Sequence, residues 1–421
     1  MIQFPSLLKS QMILGEKVII TKKIFLSALL GLGLGLSVFA DDLNNLTELM
    51  PQRSPAMSNP LITPAPPPLN AKAYILIDVN SGKVIAEKNS TERLPPASLT
   101  KMMTLYVISN ALKQNQIHLT DEVRISQEAW KIGGSRMFVK EGQHVAIEEL
   151  LKGIIVDSGN DACVAMAEYI GSSEAGFTEI MNKQAQDLGM KDSHFTDSTG
   201  LPDPNHYTTA RDLAILGRGL IKNFPEYYQW YKQKWYVYNG IRQPNRNRLL
   251  WRDELVDGIK TGHTNEAGYC LVSSAMKGDM RILAVVMNAP TDASRADDSQ
   301  RLLNYGFRFF ETHKLYQAKQ KITNVHVYKG KTVNLNIGML KDEFMTIPAG
   351  QYQKLKLTSK VPNNLIAPIK AGTPVGELLV ELDQKVIHKQ PLYALESIEE
   401  AGIFGRIKDS IKLAWKNYFH S

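Results

Sequence analysis

Pro95-Pro96-Ala97-Ser98-Leu99-Thr100-Lys101-Met102-Met103 is the stretch on which the reading of the chain turns. Two prolines preset φ just ahead of a helix, where missing N–H groups cost little. The residues after them, Leu99, Met102, Met103, Leu105, Val107 and Ile108, are apolar on nearly every face. The pattern predicts a buried central helix running to about Leu112, with Ser98 in its first turn. Ser98 and Lys101 then lie on one face a single turn apart, with Oγ and Nζ within hydrogen-bonding reach. A serine nucleophile and its base need that spacing. Ser-x-x-Lys occurs three times in the chain, but Ser6/Lys9 falls in an amino-terminal leader and Ser274/Lys277 in an alternating, strand-like run whose i and i+3 residues point to opposite faces. Against the catalytic reading stands the plain one, in which Ser98 caps the helix and Lys101 snorkels out of the core.

Ahead of this stretch, Lys22-Lys23 precede an apolar run over residues 24–39 and the small-residue end Val38-Phe39-Ala40. Residues 1–40 read as a secretory signal peptide, with an uncleaved anchor as the alternative. Its removal takes away Lys9, Lys17, Lys22, Lys23 and Glu16 and lowers the formal net charge from +7 to +4. That balance, with no basic stripe among aromatics, argues against nucleic acid. Two cysteines, Cys163 and Cys270, cannot make a disulfide scaffold, and their pairing stays open. Nine histidines contain no metal-binding spacing, so neither a metal nor another cofactor is expected. Residues 41–70 end in Pro64-Ala65-Pro66-Pro67-Pro68 and read as an extended proline-rich linker.

Folded structure is expected from Ala73-Tyr74-Ile75-Leu76-Ile77-Asp78, which turns at Asn80-Ser81-Gly82 into Val84-Ile85-Ala86 and so forms a hairpin. Helical periodicity dominates about the next hundred and fifty residues. Within the helical region, Asp157-Ser158-Gly159-Asn160-Asp161 forms a tight corner that opens another apolar helix. A corner presents a second hydroxyl and an amide to one side, although an ordinary helix cap by either residue fits as well. Further on, Val256-Asp257-Gly258-Ile259-Lys260-Thr261-Gly262-His263-Thr264 reads as a strand joined by a short turn to Tyr269-Cys270-Leu271-Val272. At roughly 6% per residue, Lys-Thr-Gly arises by chance about 0.1 times in a chain this long. Lys260 and Gly262 face the same side, and the glycine leaves room for another backbone to approach.

Ser-x-x-Lys, Ser-x-Asn and Lys-Thr-Gly in that order resemble the signature set of penicillin-binding proteins and serine β-lactamases. The surrounding Asp257-Gly258-Ile259-Lys260-Thr261-Gly262-His263-Thr264, Thr208-Thr209-Ala210-Arg211-Asp212 and Gly306-Phe307-Arg308-Phe309-Phe310-Glu311 resemble the low-molecular-mass D-alanyl-D-alanine carboxypeptidases, peptidase family S11. The resemblance implies an α/β (α+β) β-lactamase/transpeptidase-like domain over residues 71–317, an antiparallel sheet covered by helices. Ser98 would be the nucleophile on the carbonyl between two D-alanines of a peptidoglycan stem peptide, and β-lactam antibiotics would acylate it. Lys101 would be its base, Ser158 a proton relay, Asn160 a clamp on Lys101 and substrate, and Lys260 a positive charge for the substrate. The backbone N–H groups of Ser98 and His263 would form the oxyanion hole. Thr261, Gly262, Arg295 and Arg246 are candidates around the substrate carboxylate, and Asp203 is a candidate at the edge of the site. The class A β-lactamase reading lacks its Glu-x-x-Leu-Asn between Asn160 and Lys260. A D,D-endopeptidase shares the motifs, and a non-catalytic wall-binding module would not need all of them.

Beyond Phe310 the pattern changes to short alternating runs such as Val325-His326-Val327-Tyr328, so residues 318–395 read as a small all-β domain. In residues 396–421, Ile403, Phe404, Ile407, Ile411, Ala414, Trp415 and Tyr418 fall on one helical face, with Arg406, Lys408, Lys412 and Lys416 beside it. This reads as an amphipathic anchor lying on a membrane surface, Trp415 and Phe419 at the interface, and places the enzyme on the periplasmic side of an inner membrane. The rival reading packs that face on the protein itself.

Overall fold

The computed structural model describes residues 63–419; the expected signal peptide and most of the expected linker fall outside the described residues. Five strands make the central sheet: β1 (Ala73–Asp78), β2 (Val84–Lys88), β3 (Val256–Thr264), β4 (Gly268–Lys277) and β5 (Met280–Ala289), in the order β2-β1-β5-β4-β3. All neighbours are antiparallel, with Leu76 opposite Ala284, Val272 opposite Val285 and Lys260 opposite Val272. The helices that matter for the site are α1 (Lys101–Lys113), α2 (Asn160–Gly171), α3 (Ala210–Asn223) and α4 (Asp292–Phe309).

The two-residue period of the strands splits the apolar residues into two cores. Ile75, Ile77, Leu283, Val285 and Met287 share one core with Met102 and Leu105 of α1 and Leu213, Leu216 and Leu220 of α3. Tyr74, Leu76, Ile282, Ala284 and Val286 face the other way, against Leu302 and Leu303 of α4. Each such side chain, buried fully, contributes about 1.5–3 kcal/mol relative to exposure, which is why an apolar α1 sits at the centre. Caps set the helix starts: Thr209 Oγ1 accepts from Asp212 N at 3.1 Å at α3, and Thr291 and Ser294 form a capping box at α4. The last linker residues lie on α4, where Asp298 Oδ2 accepts from Asn70 N and Ala71 N, each at 2.9 Å, and Pro64 O accepts from the Tyr305 hydroxyl.

After α4 the strand Phe310–Tyr316 pairs with Glu343–Pro348. A six-stranded sheet comes next, its core built from Val327, Leu335, Ile337, Leu378, Leu392 and Ala394. Thr312 Oγ1 donates to the buried Asp78 Oδ2 at 2.8 Å, and the hydroxyls of Ser81 and Thr346 are 2.6 Å apart, so these strands are tied to the end of β1. The tail forms helix α5 (Ile403–Phe419), whose Asp409 Oδ2 accepts from Lys329 N at 2.7 Å. Ile403, Phe404, Ile407, Ile411 and Trp415 are all exposed, Phe404 at 91%. Among the described residues no helix is long and apolar enough to cross a membrane. Cys163 in α2 and Cys270 in β4 are free and fully buried, and burial pushes their thiols up to about 12 and about 11.

Candidate active site

The helix expected from Ser98 onward begins differently. Residues Ala97–Thr100 form a 3₁₀ turn and the α-helix proper starts at Lys101. Leu99 N donates to Pro96 O at 3.1 Å, and Ala97 sits in the left-handed region at φ 48°. For an alanine that conformation costs about 1–2 kcal/mol, which the packing around Leu99 and Thr100 must hold in place. Ser98 is left partly open, whereas Lys101 is 0% exposed directly beneath it. Lys101 Nζ lies 3.1 Å from Ser98 Oγ, 2.7 Å from Asn160 Oδ1 and 2.7 Å from Thr199 O.

A second serine–lysine pair faces the first. A π-helical turn (Gly153–Asp157) leads into Ser158, which takes the left-handed conformation at φ 60°, and Asn160 then opens α2. Lys260 Nζ, from the middle of β3, donates to Ser158 Oγ at 2.9 Å and to Thr261 O at 3.2 Å. Asn160 is held by its own amide, which donates to Gly133 O at 2.6 Å, so its carbonyl is aimed at Lys101. Ser98, Lys101, Ser158, Asn160 and Lys260 thus converge from three separate parts of the chain.

Gly262 explains how β3 comes so close to the nucleophile. A Cβ there would lie 2.9 Å from Pro96 O and 3.2 Å from Leu99 N, so only glycine lets the strand approach the Ser98 turn. β3 is the outermost strand on this side of the sheet, which leaves one of its edges for an added peptide strand. Thr261 is buried, and His263 is exposed with its ring on Tyr269, centroids 4.0 Å apart. Arg295 is turned to the strand itself: its Nη1 donates to Gly262 O at 3.0 Å and Cys270 O at 3.3 Å, and its other nitrogen pairs with Asp292. Arg246 lies in the loop after strand Ile241–Pro244, within electrostatic reach of Lys101 and Lys260. Asp203 lines a cleft of about 560 Å³ together with Pro96 and Ala97 of the nucleophile's turn and with Leu201.

Burial pushes both lysines below the usual ammonium range, and the charge of Lys101 adds to the effect at Lys260. The geometry shows what a neutral Lys101 would do. Two of its neighbours, the carbonyls of Asn160 and Thr199, only accept, so they take two N–H bonds. The remaining position faces Ser98 Oγ, and in the free amine it is a lone pair ready for the serine proton.

The Thr199 carbonyl has no sequence motif. It is placed by Asp197, whose Oδ1 accepts from Thr199 N and Gly200 N, each at 2.6 Å. His206, 3% exposed, is 2.9 Å from Thr100 Oγ1 and 3.3 Å from Asp197 Oδ2, which holds that carboxyl well below the usual range despite burial. Gly200 has φ 90°, and a Cβ on it would sit 1.8 Å from Ala97 O, so the loop lies flush against the nucleophile's turn. The paired Asp-x-Thr-Gly and His206 were the available signal.

Two family models match this chain. One, D-alanyl-D-alanine carboxypeptidase, covers residues 61–291, and the other, the C-terminal domain of penicillin-binding protein 5, covers residues 310–400. The D-alanyl-D-alanine carboxypeptidase DacC of Escherichia coli K12 is 44% identical over 363 residues, 84% of this chain and 91% of that protein. Among solved structures, penicillin binding protein 5 from Haemophilus influenzae aligns with a TM-score of 0.77 at 43% identity, covering 80% of this chain and all of that one. Penicillin-binding protein D2 from Listeria monocytogenes, in an ampicillin-bound form, aligns at TM-score 0.53 and 27% identity over 57% of this chain and 98% of that one. The chain belongs to the D-alanyl-D-alanine carboxypeptidase family of serine hydrolases.

Proposed function

We propose that Ser98 carries the family's reaction here, removing the terminal D-alanine from peptidoglycan stem pentapeptides through an acyl-enzyme. The observation that supports it most is Lys101, fully buried and held between two carbonyls with its third position on Ser98 Oγ. Lys101 takes the serine proton as Oγ attacks the carbonyl between the two D-alanines. The peptide adds along the free edge of β3, and the N–H groups of Ser98 and His263 receive the oxyanion. Ser158, held by the positive charge of Lys260, relays the proton taken up by Lys101 to the departing amine, and D-alanine leaves. Water then cleaves the ester on Ser98. Thr261, with Arg246 across the site, receives the terminal carboxylate, while Arg295 acts by steadying the strand at Gly262. A β-lactam enters the same ester, as the ampicillin-bound Listeria relative suggests.

Incubation with a pentapeptide ending in D-Ala-D-Ala should release free D-alanine, and penicillin should add its mass to the intact protein. Ser98→Ala should do neither; a Ser98→Ala protein that still gained the mass would remove Ser98 from the role of nucleophile. Rapid turnover of penicillin by wild type would favour a β-lactamase instead.

For location, the reading that fits is a periplasmic enzyme lying on the outer face of the inner membrane through α5. Its apolar residues Ile403, Phe404, Ile407 and Ile411 point outward, while Asp409 and Lys416 bind Lys329 N and Asn363 O on the β-rich domain. Cells expressing a form truncated after Leu395 should yield an active enzyme in the soluble periplasmic fraction. Persistent membrane association would move the anchor to an uncleaved amino-terminal segment.

A further inference from the structure

Between the nucleophile's turn and the far end of β3 lies the cleft of about 560 Å³ that Asp203 lines. Its walls fix its place relative to the chemistry. Ala97 on one side precedes Ser98, and Thr264 on the other follows His263, so the cleft opens one residue away from each N–H group given to the oxyanion. Leu94, Pro95, Leu201, Pro202 and Pro204 make its lining apolar, and Leu201 stays 40% exposed there. Both rims are held in shape. On one, His206 N donates to Asp203 O at 3.0 Å and Asn205 N to Asp203 Oδ1 at 2.7 Å. On the other, Ala267 N donates to Thr264 Oγ1 at 3.1 Å and Asn288 Nδ2 to Glu266 O at 3.4 Å. Three charged side chains reach the lining: Arg93, Asp203 and Glu266. Arg93 is already engaged, 2.8 Å from Asp192 and stacked over the Tyr207 ring at 4.7 Å. Among the described residues neither Asp203 nor Glu266 has an ion-pair partner, so the open cleft carries two uncompensated carboxylates on apolar walls.

We infer that this cleft is the subsite for the third residue of the stem peptide, and that it selects a flexible aliphatic side chain ending in an ammonium, received by Glu266 and Asp203. The inference rests on the carboxypeptidase reading above and on its pose along β3. That strand runs from Val256 to Thr264. With the terminal carboxylate at Thr261 and the acyl carbonyl at the His263 N–H, a peptide added antiparallel carries its earlier residues toward Thr264. The fourth residue supplies the carbonyl, so the third lies one step on, its Cα about 3.8 Å further along the chain. Its side chain there meets the mouth of the cleft between Ala97 and Thr264. Apolar walls suit the methylenes of such a chain and the two carboxylates suit its charged end, whereas an acidic side chain would be repelled and a short one would leave the walls uncovered.

The test uses the full chain and two pentapeptides ending in L-Lys-D-Ala-D-Ala, one with the lysine amine free and one with it acetylated, which keeps the aliphatic chain and removes the charge. Release of D-alanine gives kcat/KM for each, and the ratio of the two values cancels any general change in activity. One exposed ion pair is worth up to about fivefold, so with two carboxylates facing the ammonium wild type should favour the free amine about fivefold or more at low salt. The preference should shrink at about 0.5 M salt, where screening is strong. Glu266→Lys, a change on an exposed turn, should invert it, and Asp203→Asn should reduce it. Equal kcat/KM for the two peptides in wild type overturns the inference, as does a preference that survives both substitutions. Absence of D-alanine release from both peptides by wild type would instead overturn the functional reading beneath it.

Discussion

Replacing Gly262 by alanine probes the contact that brings β3 to the nucleophile. The added methyl would stand 2.9 Å from Pro96 O and 3.2 Å from both Leu99 N and Leu99 Cγ, and the backbone atoms cannot swing away as a side-chain end could. Restoring ordinary contact requires β3 and the Ser98 turn to part by about half an ångström, in a site where a 1 Å misplacement can cost about a hundredfold in rate. The expected loss in acylation is therefore about tenfold or more. Overpacking of this kind destabilises by about 1–3 kcal/mol, a fall in Tm of about 2–10 °C for a domain of this size. Stopped-flow labelling with a fluorescent penicillin gives the rate, and thermal unfolding of the same samples gives Tm. Unchanged rate and unchanged Tm together would refute the claim that glycine is required by close approach, and a lower Tm with a wild-type rate would show that the strand can move without disturbing Ser98.

Lys101→Arg should nearly abolish acylation, since a guanidinium stays protonated, while Lys260→Arg keeps its charge and should retain more activity; equal, small losses would exclude Lys101 as the base. Asp157→Asn should stabilise the fold in a pH-dependent way. A carboxyl that titrates at about 7 when folded and near ~3.9 when unfolded binds more protons in the native state, so wild type loses stability as pH rises between those values. Urea unfolding should find the two proteins similar near pH 4 and the variant ahead by up to about 4 kcal/mol above pH 7. His206→Ala should loosen the Asp197–Gly200 loop that supplies the Thr199 carbonyl, slowing acylation at constant pH more than it weakens substrate binding; a change confined to KM would place His206 outside the support of Lys101.

The parts of the site that could be read in the sequence are those set by local geometry. One helical turn joins Ser98 to Lys101, one tight corner joins Ser158 to Asn160, and one strand carries Lys260 and Gly262 on the same side. The apolar runs of β1 and β5 are equally local; they are buried on both faces, and the two-residue period of a strand divides their residues between the two cores. What escaped depends on contacts far apart in the chain. The Thr199 carbonyl is 98 residues from Lys101, and nothing in a backbone oxygen marks it beforehand. Arg295 appeared as a surface arginine suited to a carboxylate, but α4 sets it against the carbonyls of β3 and β4. The 3₁₀ start at Ala97 lies against Gly200, whose lack of a Cβ permits the approach to Ala97 O between segments a hundred residues apart.

The two cysteines give the molecule a chemical clock. Each thiol is sealed in its own place, Cys163 inside α2 and Cys270 in the sheet, and burial keeps both far from thiolate at neutral pH. Since only the thiolate attacks electrophiles or disulfides, neither sulfur reacts until the segment around it opens. Alkylation therefore counts openings, one cysteine timing the helical layer behind Ser98 and the other timing the sheet, so that a single mass-spectrometric chase separates local breathing of α2 from unfolding of the whole domain.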